Sequence, residues 1–390
     1  MNTRRTTTPK SVQASRLNRR DFLIRGGLMG AGALSLPALL AACGSDSGST
    51  ADTVGGGGDS SLFFENWPGY MDEETIGLFQ AASGVSLKYT EAFNDNNEYF
   101  AKIQPEMSKG KTIAPDILAP TFWMAARLVQ LGWVQKLPKA DIPNFVNLRD
   151  DLSGQSWDKN DEYHLPYQSG IAGIAYNSKI TGRELKSVAD LFDPAFKGKI
   201  GMLTEMRDTI GLAMLANGDD PAKADRASFD RAIALIEPSV TDGTVRAFTG
   251  NDYKELIVKG DVAACVAWRG DTVQIGYEDP NIVWVTPTDG CTFSSDNMLI
   301  PLGAAHKYTA EKWMDWYYKP EIAAQLTAYV QYVSPVKGTK EEIAKIDATL
   351  ATDPFIFPDA ALEAQLNVFA GLSEEDEIYM NDAYSALQGN

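Results

Sequence analysis

The sequence predicts an α/β fold of two lobes with a cleft between them. Three observations carry that expectation. Short apolar runs alternate with amphipathic stretches from residue 61 onward; they do so in two series of similar size; and residues 43–390, 348 in number, suffice for two proper cores.

The first series opens with Leu62-Phe63-Phe64 as a strand. A helix follows from Asp72, with Ile76, Phe79 and Ala82 on one face and Gly84 as its stop. Val85, Leu87 and Tyr89 alternate as the next strand, and the loop Asn94-Asp95-Asn96-Asn97 starts a helix that turns Phe100, Ile103 and Met107 inward. Ile117-Leu118-Ala119 is a strand, and 124–131 is a helix closed by Gly132. Strand and helix in alternation imply a mainly parallel sheet covered by helices. The second series begins near Gly170: strands at 171–176 and 199–203, a short helix capped by Ser187, and a helix at about 207–217 stopped by Gly218. Further strands are expected at 262–268 and 282–285, and helices around 309–319, 321–330 and 374–388.

The segment ahead of these series reads as targeting rather than fold. Residues 1–42 hold seven Lys/Arg against one acid, Asp21, then an apolar Gly/Ala-rich run too short for a good spanning helix. Arg19-Arg20-Asp21-Phe22-Leu23 resembles a twin-arginine export signal, and Leu40-Ala41-Ala42-Cys43 a bacterial lipobox. That resemblance implies that Cys43 carries a lipid and becomes the mature N-terminus. Residues 43–60, with four glycines at 55–58, bury too little apolar area to offset their ordering entropy and read as a flexible tether.

Charge and composition narrow the function. The chain carries −17, and removing the +6 of residues 1–42 leaves −23. Such a surface argues against nucleic acid and suits a cationic small molecule, as well as solubility. With His164 and His306 the only histidines and no Cys/His cluster, neither a metal site nor a cofactor is expected. No nucleophile elbow, P-loop or His-Glu-x-x-His occurs. Cys265 and Cys291 are either a disulfide or two buried thiols; their segments should be neighbours beneath the cleft, and the expectation adopted is a disulfide closing a loop of about 25 residues.

The run Leu62-Phe63-Phe64-Glu65-Asn66-Trp67-Pro68-Gly69-Tyr70 resembles the first strand and loop of the spermidine/putrescine-binding proteins of bacterial ABC importers. The resemblance continues at 100–103, in Pro115-Asp116-Ile117-Leu118-Ala119-Pro120-Thr121, and at 131–134, 144–148, 164–167, 187–199 and 296–301. It is piecewise and covers nearly all of 61–345. It implies a class II periplasmic-binding-protein fold, its lobes at 61–168 plus 296–343 and 169–295 plus 344–390, joined by two crossings. It also implies a polyamine held between the lobes and delivery to a membrane permease, while the signal-like segment implies an exported protein, lipid-anchored to the outer face of the cell membrane or in the periplasm.

Holding a polyamine requires carboxylates for each ammonium and flat apolar walls for each methylene run. The resemblance places Trp67, Tyr70 and Trp123 as walls, Thr121 as a hydroxyl partner, and Glu205, Asp208 and Asp296 as the acids. Trp268 falls on a stacking tryptophan and Tyr332 on a late aromatic. Each has a plainer alternative. Trp67 and Trp268 are also good core residues, Glu205 and Asp208 flank a helix start that favours acids, and Asp296 reads as a turn residue before a strand. Departures fall on the ligand rather than the class: Pro68-Gly69 replaces a polar and acidic pair, Ser294 a tryptophan, and Arg269 an asparagine. A guanidinium at 269 would repel an amine or pair with a ligand carboxylate. The competing readings are therefore another amino compound with the same transport role, or a secreted hydrolase using a pair of carboxylates.

Overall fold

The structure, a computed structural model, describes residues 59–389; the segment read as an export signal, Cys43 and all but the end of the expected tether lie outside them. β1 (Ser61–Asn66) forms the centre of a three-stranded sheet, parallel both to β2 (Ser86–Glu91) and to β3 (Ile117–Leu118). Helices α1 (Glu73–Ser83), α2 (Asn96–Met107) and α3 (Phe122–Gln130) alternate with these strands. Asp72 caps α1 by accepting from the Thr75 amide, and Asp95 caps α2 by accepting from the Asn97 and Glu98 amides. Gly84 then ends α1 in the left-handed region, φ 72°. Phe64, Phe79, Ile103 and Leu128 meet Trp313, Tyr317 and Leu326, from far later in the chain, in the core of the first lobe.

β4 (Leu165–Asn177) is buried at every one of its 13 positions and leaves this core for the next. Leu165 and Tyr167 pack in the first, Ile174 to Tyr176 in the second. The second lobe is built on β5 (Ile200–Leu203), α4 (Met206–Ala216), α5 (Arg226–Thr241), β6 (Val245–Thr249), α6 (Tyr253–Lys259), β7 (Ala264–Trp268), α7 (Arg269–Gly276) and β8 (Ile282–Val285). β9 (Cys291–Met298) then runs back antiparallel to β4, with Asp296 opposite Gln168 and Ser294 opposite Gly170. After it α8 (Lys307–Tyr317) and α9 (Pro320–Val330) complete the first core. The chain passes once more to the second lobe through α10 (Thr339–Ile346) and β10 (Leu366–Asn367), and α11 (Glu374–Gln388) packs Met380, Tyr384 and Leu387 there.

The second sheet has the order β10-β9-β4-β7-β5-β6, with β8 also on β4. It is mixed rather than mainly parallel. β5 is parallel to β6 and β7, but β4 is antiparallel to β7, β8 and β9. The reason for the β4–β9 pairing is the chain's path, since one strand leaves the first lobe and the other returns to it.

The expected disulfide does not form: Cys265 and Cys291 are both free and buried. Cys265 on β7 pairs with Ala175 of β4, whereas Cys291 on β9 adjoins Thr292, which pairs with Ala172 on the opposite edge of β4. A whole strand stands between them, about 9–10 Å across two interstrand spacings. A disulfide requires Cα atoms within about 7 Å. Burial raises both thiols out of the reactive range, Cys291 to about 12.

Candidate functional site

The cleft lies where β4 and β9 cross between the lobes. Trp67, Tyr70, Thr121, Glu205, Asp208, Trp268, Asp296 and Tyr332 line it together with Pro68, Gly170, Asn251, Asp271 and Ser294. Eight of the nine residues singled out from the sequence thus converge on one space. The ninth, Trp123, stands one layer back: its indole Nε1 donates to Glu205 Oε2 at 3.1 Å and its ring carries the Arg207 guanidinium at 4.2 Å.

The first loop after β1 supplies two walls. Trp67 anchors its indole by donating to the Ala119 carbonyl at 2.8 Å and packs on Phe93, leaving its ring 6.4 Å from Trp268 of the other lobe. Tyr70 meets Tyr332 edge-on, ring centroids 4.8 Å apart, and donates its hydroxyl to Asp296 Oδ2 at 2.8 Å. Thr121 donates to the other oxygen of Asp296 at 2.8 Å. Asp296 lies inside β9, not in a turn before a strand, so its orientation is set by the pairing with Gln168.

Glu205 and Asp208 open α4, as a helix start predicts, yet they also face the cleft. Glu205 is the N-cap, its Oε1 accepting from the Arg207 amide at 3.3 Å, while Oε2 accepts from Asn96 Nδ2 at 3.1 Å across the lobes. Asp208 accepts from the Trp268 indole at 2.8 Å and from the Thr292 hydroxyl at 2.6 Å. The two readings offered for these acids are therefore not exclusive. A fourth carboxylate, Asp271, was not foreseen. It sits in the first turn of α7 and accepts from the Tyr253 and Tyr332 hydroxyls, each at 3.0 Å. Its only sequence signal is its position three residues after Trp268, one helical turn on.

Packing several acids into one part-dry space has an electrostatic consequence. Burial pushes Glu205 up to about 7, against Arg207 and helped by Asp208 and Asp95. Burial pushes Asp296 to about 7 as well, opposed by its bonds from Tyr70 and Thr121 and helped by Asp208 and Asp271. Asp208 is raised by burial despite the Thr292 and Trp268 bonds. A cation placed among these groups would return them to the ionised form.

Arg269 does not face this space. It is buried, donates to the Gln331 carbonyl at 3.2 Å, pairs with Asp353 at 2.5 Å and lies over Phe355. It therefore neither repels a cleft cation nor meets a ligand carboxylate. Phe293 and Trp284 likewise pack in a separate small core with Phe355, leaving only Ser294 of that stretch at the cleft. Among the described residues no group of three or more His, Cys, Asp or Glu is arranged to hold a metal ion, and no helix is long and apolar enough to cross a membrane.

The lobes meet across the cleft mouth. Thr204 donates to Asp95 at 2.7 Å, Asn94 to Asp252 at 3.1 Å, and the Asn251 amide to the Asn94 carbonyl at 3.1 Å. Gly250 permits that approach, since a Cβ there would lie 2.0 Å from the Asn94 carbonyl oxygen.

Two α/β lobes joined by paired strands and closing on an acidic, aromatic-walled cleft define a two-lobed binding protein of the periplasmic type. The family model described as bacterial extracellular solute-binding protein matches residues 75–357, most of the chain, and the chain belongs to that family. It is 25% identical to the spermidine/putrescine-binding periplasmic protein of Escherichia coli (strain K12), over 82% of this chain and 91% of that one. To a putrescine-binding periplasmic protein of Pseudomonas aeruginosa it is 24% identical, over 87% and 95%. A solved structure described as a putative spermidine/putrescine ABC transporter from Listeria monocytogenes superposes with a TM-score of 0.73 at 24% identity, covering 84% of this chain and 99% of that one.

Proposed function

We propose that this protein is the substrate-binding component of an ABC importer, that it captures a polyamine between its lobes, and that the closed form delivers it to a membrane permease. The observation that carries the reading is the cluster of Glu205, Asp208 and Asp296, whose hydrogen bonds come from neutral donors and whose carboxyls are raised by burial. Such a cluster gains most from a ligand that brings positive charge and gives up its water on closure. Trp67, Tyr70, Trp268 and Tyr332 act as walls for the methylene run and the ammonium groups, and Thr121 and Trp123 hold Asp296 and Glu205 in place. The lobes are proposed as 61–168 plus 296–343 and 169–295 plus 344–390, moving as hinged bodies.

In this reading residues 1–42 direct export by the twin-arginine route, Cys43 carries the lipid anchor, and the tether lets the globule reach the permease. Cys43→Ala should move the protein from the membrane to the aqueous fraction; a variant retained on membranes after a high-salt wash would count against the anchor. Calorimetric titration with spermidine, putrescine, amino acids and oligosaccharides tests the ligand class. Saturable, reversible binding of an amine supports the reading. Binding only of another amino compound would keep the transport role with a different cargo, and turnover would favour a carboxylate-pair hydrolase.

A further inference from the structure

Lys254, on α6, brings its own ammonium to the cleft. Its Nζ lies 3.5 Å from Asp271 Oδ2 and donates to the Pro68 carbonyl, across the lobes, at 3.1 Å. Pro68 and Asp271 both line the cleft, and the Lys254 side chain is largely buried, 23% exposed, so the charge is held there rather than swinging in solvent. Gly69 contributes no carboxylate beside it: a Cβ built there would lie 3.3 Å from Gln274 Oε1 and 3.9 Å from the Lys254 Nζ. The other two partners of Asp271, the Tyr253 and Tyr332 hydroxyls, are neutral, which makes Lys254 its cation.

The four cleft acids are therefore not equivalent. Glu205, Asp208 and Asp296 take their hydrogen bonds from amide, indole and hydroxyl donors, and the Arg207 guanidinium that acts on the first two is itself paired with Glu377, whereas Asp271 has the Lys254 ammonium within 3.5 Å. A ligand ammonium brought to Asp271 would have to displace Lys254 or sit beside a like charge in a part-dry space.

We propose that Lys254 is a specificity-determining residue: its ammonium occupies the Asp271 end of the cleft, so the site takes an amine whose charges gather at Glu205, Asp208 and Asp296, a short diamine rather than a triamine. The proposal rests on the polyamine reading above and adds the cargo's length and charge.

The test is calorimetric titration of the full chain with putrescine, cadaverine and spermidine, repeated on Lys254→Met and Lys254→Arg, each first checked for an unaltered far-ultraviolet spectrum and melting profile. The parent should prefer the diamines to spermidine by about tenfold or more, a margin typical of one lost charge-assisted contact. Lys254→Met, which keeps the stem and removes the charge, should shrink or reverse that ratio, and Lys254→Arg should retain it. A spermidine-to-putrescine ratio unmoved in Lys254→Met would overturn the proposal while leaving the polyamine reading intact, because Lys254 would then be a strut between the lobes and nothing more. Absence of binding by any amine in all three proteins would overturn the polyamine reading and this proposal with it.

Discussion

Asp296 shows how one residue can be fixed by its own lobe and still offer charge to the cleft. Its two oxygens are held by Tyr70 and Thr121, and burial raises its carboxyl to about 7. Asp296→Asn preserves shape and removes the charge, so an ammonium in the cleft loses a partner; the expected cost is about 2–5 kcal/mol of binding, measured by calorimetry. Stability should move the other way. A carboxyl whose folded pKa lies above its unfolded value adds stability below the unfolded value, and that contribution disappears as pH rises through the folded one. The melting temperature of ligand-free Asp296→Asn should therefore gain on the parent between pH 5 and pH 8. A difference that does not vary with pH would contradict the assignment. Glu205→Gln should cost less affinity than Asp296→Asn, because Asp208 stands beside it to neutralise the same amine, but it weakens the cap on α4.

At the scale of elements, α7 and the loop after α9 depend on one another. Gly270 lets the Tyr332 ring approach α7 closely, since a Cβ there would stand 2.0 Å from Tyr332 Cε2. Gly270→Ala must push Tyr332 off Asp271, and unfolding in urea should show a loss of about 1–3 kcal/mol, with amine affinity falling as well. Both unchanged would mean that the ring has another place to go. The sequence revealed elements where its signals are local. α1, α2 and the first three strands follow from caps, Gly84 and short apolar periods. β9 escaped notice because Cys291-Thr292-Phe293-Ser294-Ser295-Asp296-Asn297-Met298 does not alternate in polarity. Crossing between lobes, it meets core, cleft and neighbouring strand within eight residues rather than two constant faces. Asp271 escaped because an acid in the first turn of a helix has an ordinary explanation. The partner of Arg269 is 84 residues away and the strand between Cys265 and Cys291 is contributed from 165–177, so neither pairing was available to a reading of neighbours. The residues that line the cleft were legible through likeness to a family, not through their own spacing.

For the whole molecule, binding and protonation are linked. Burial raises Glu205 and Asp296 to about 7, so a cation bound among them would shift both toward the ionised form. Titration at pH 7 in two buffers of different ionisation enthalpy should show release of up to about one proton per amine bound, and affinity should weaken as pH falls from 8 to 6. Binding with no proton release at pH 7 would contradict this linkage. Closure itself joins rings that belong to different lobes. Trp67 faces Trp268 at 6.4 Å, and Trp123 is stacked under Arg207 with its indole bonded to Glu205. Opening would wet all three indoles and separate two of them, so their ultraviolet emission would shift to the red and brighten or dim with the hinge. The protein thus carries its own optical gauge of cargo, readable in a cuvette without any attached dye.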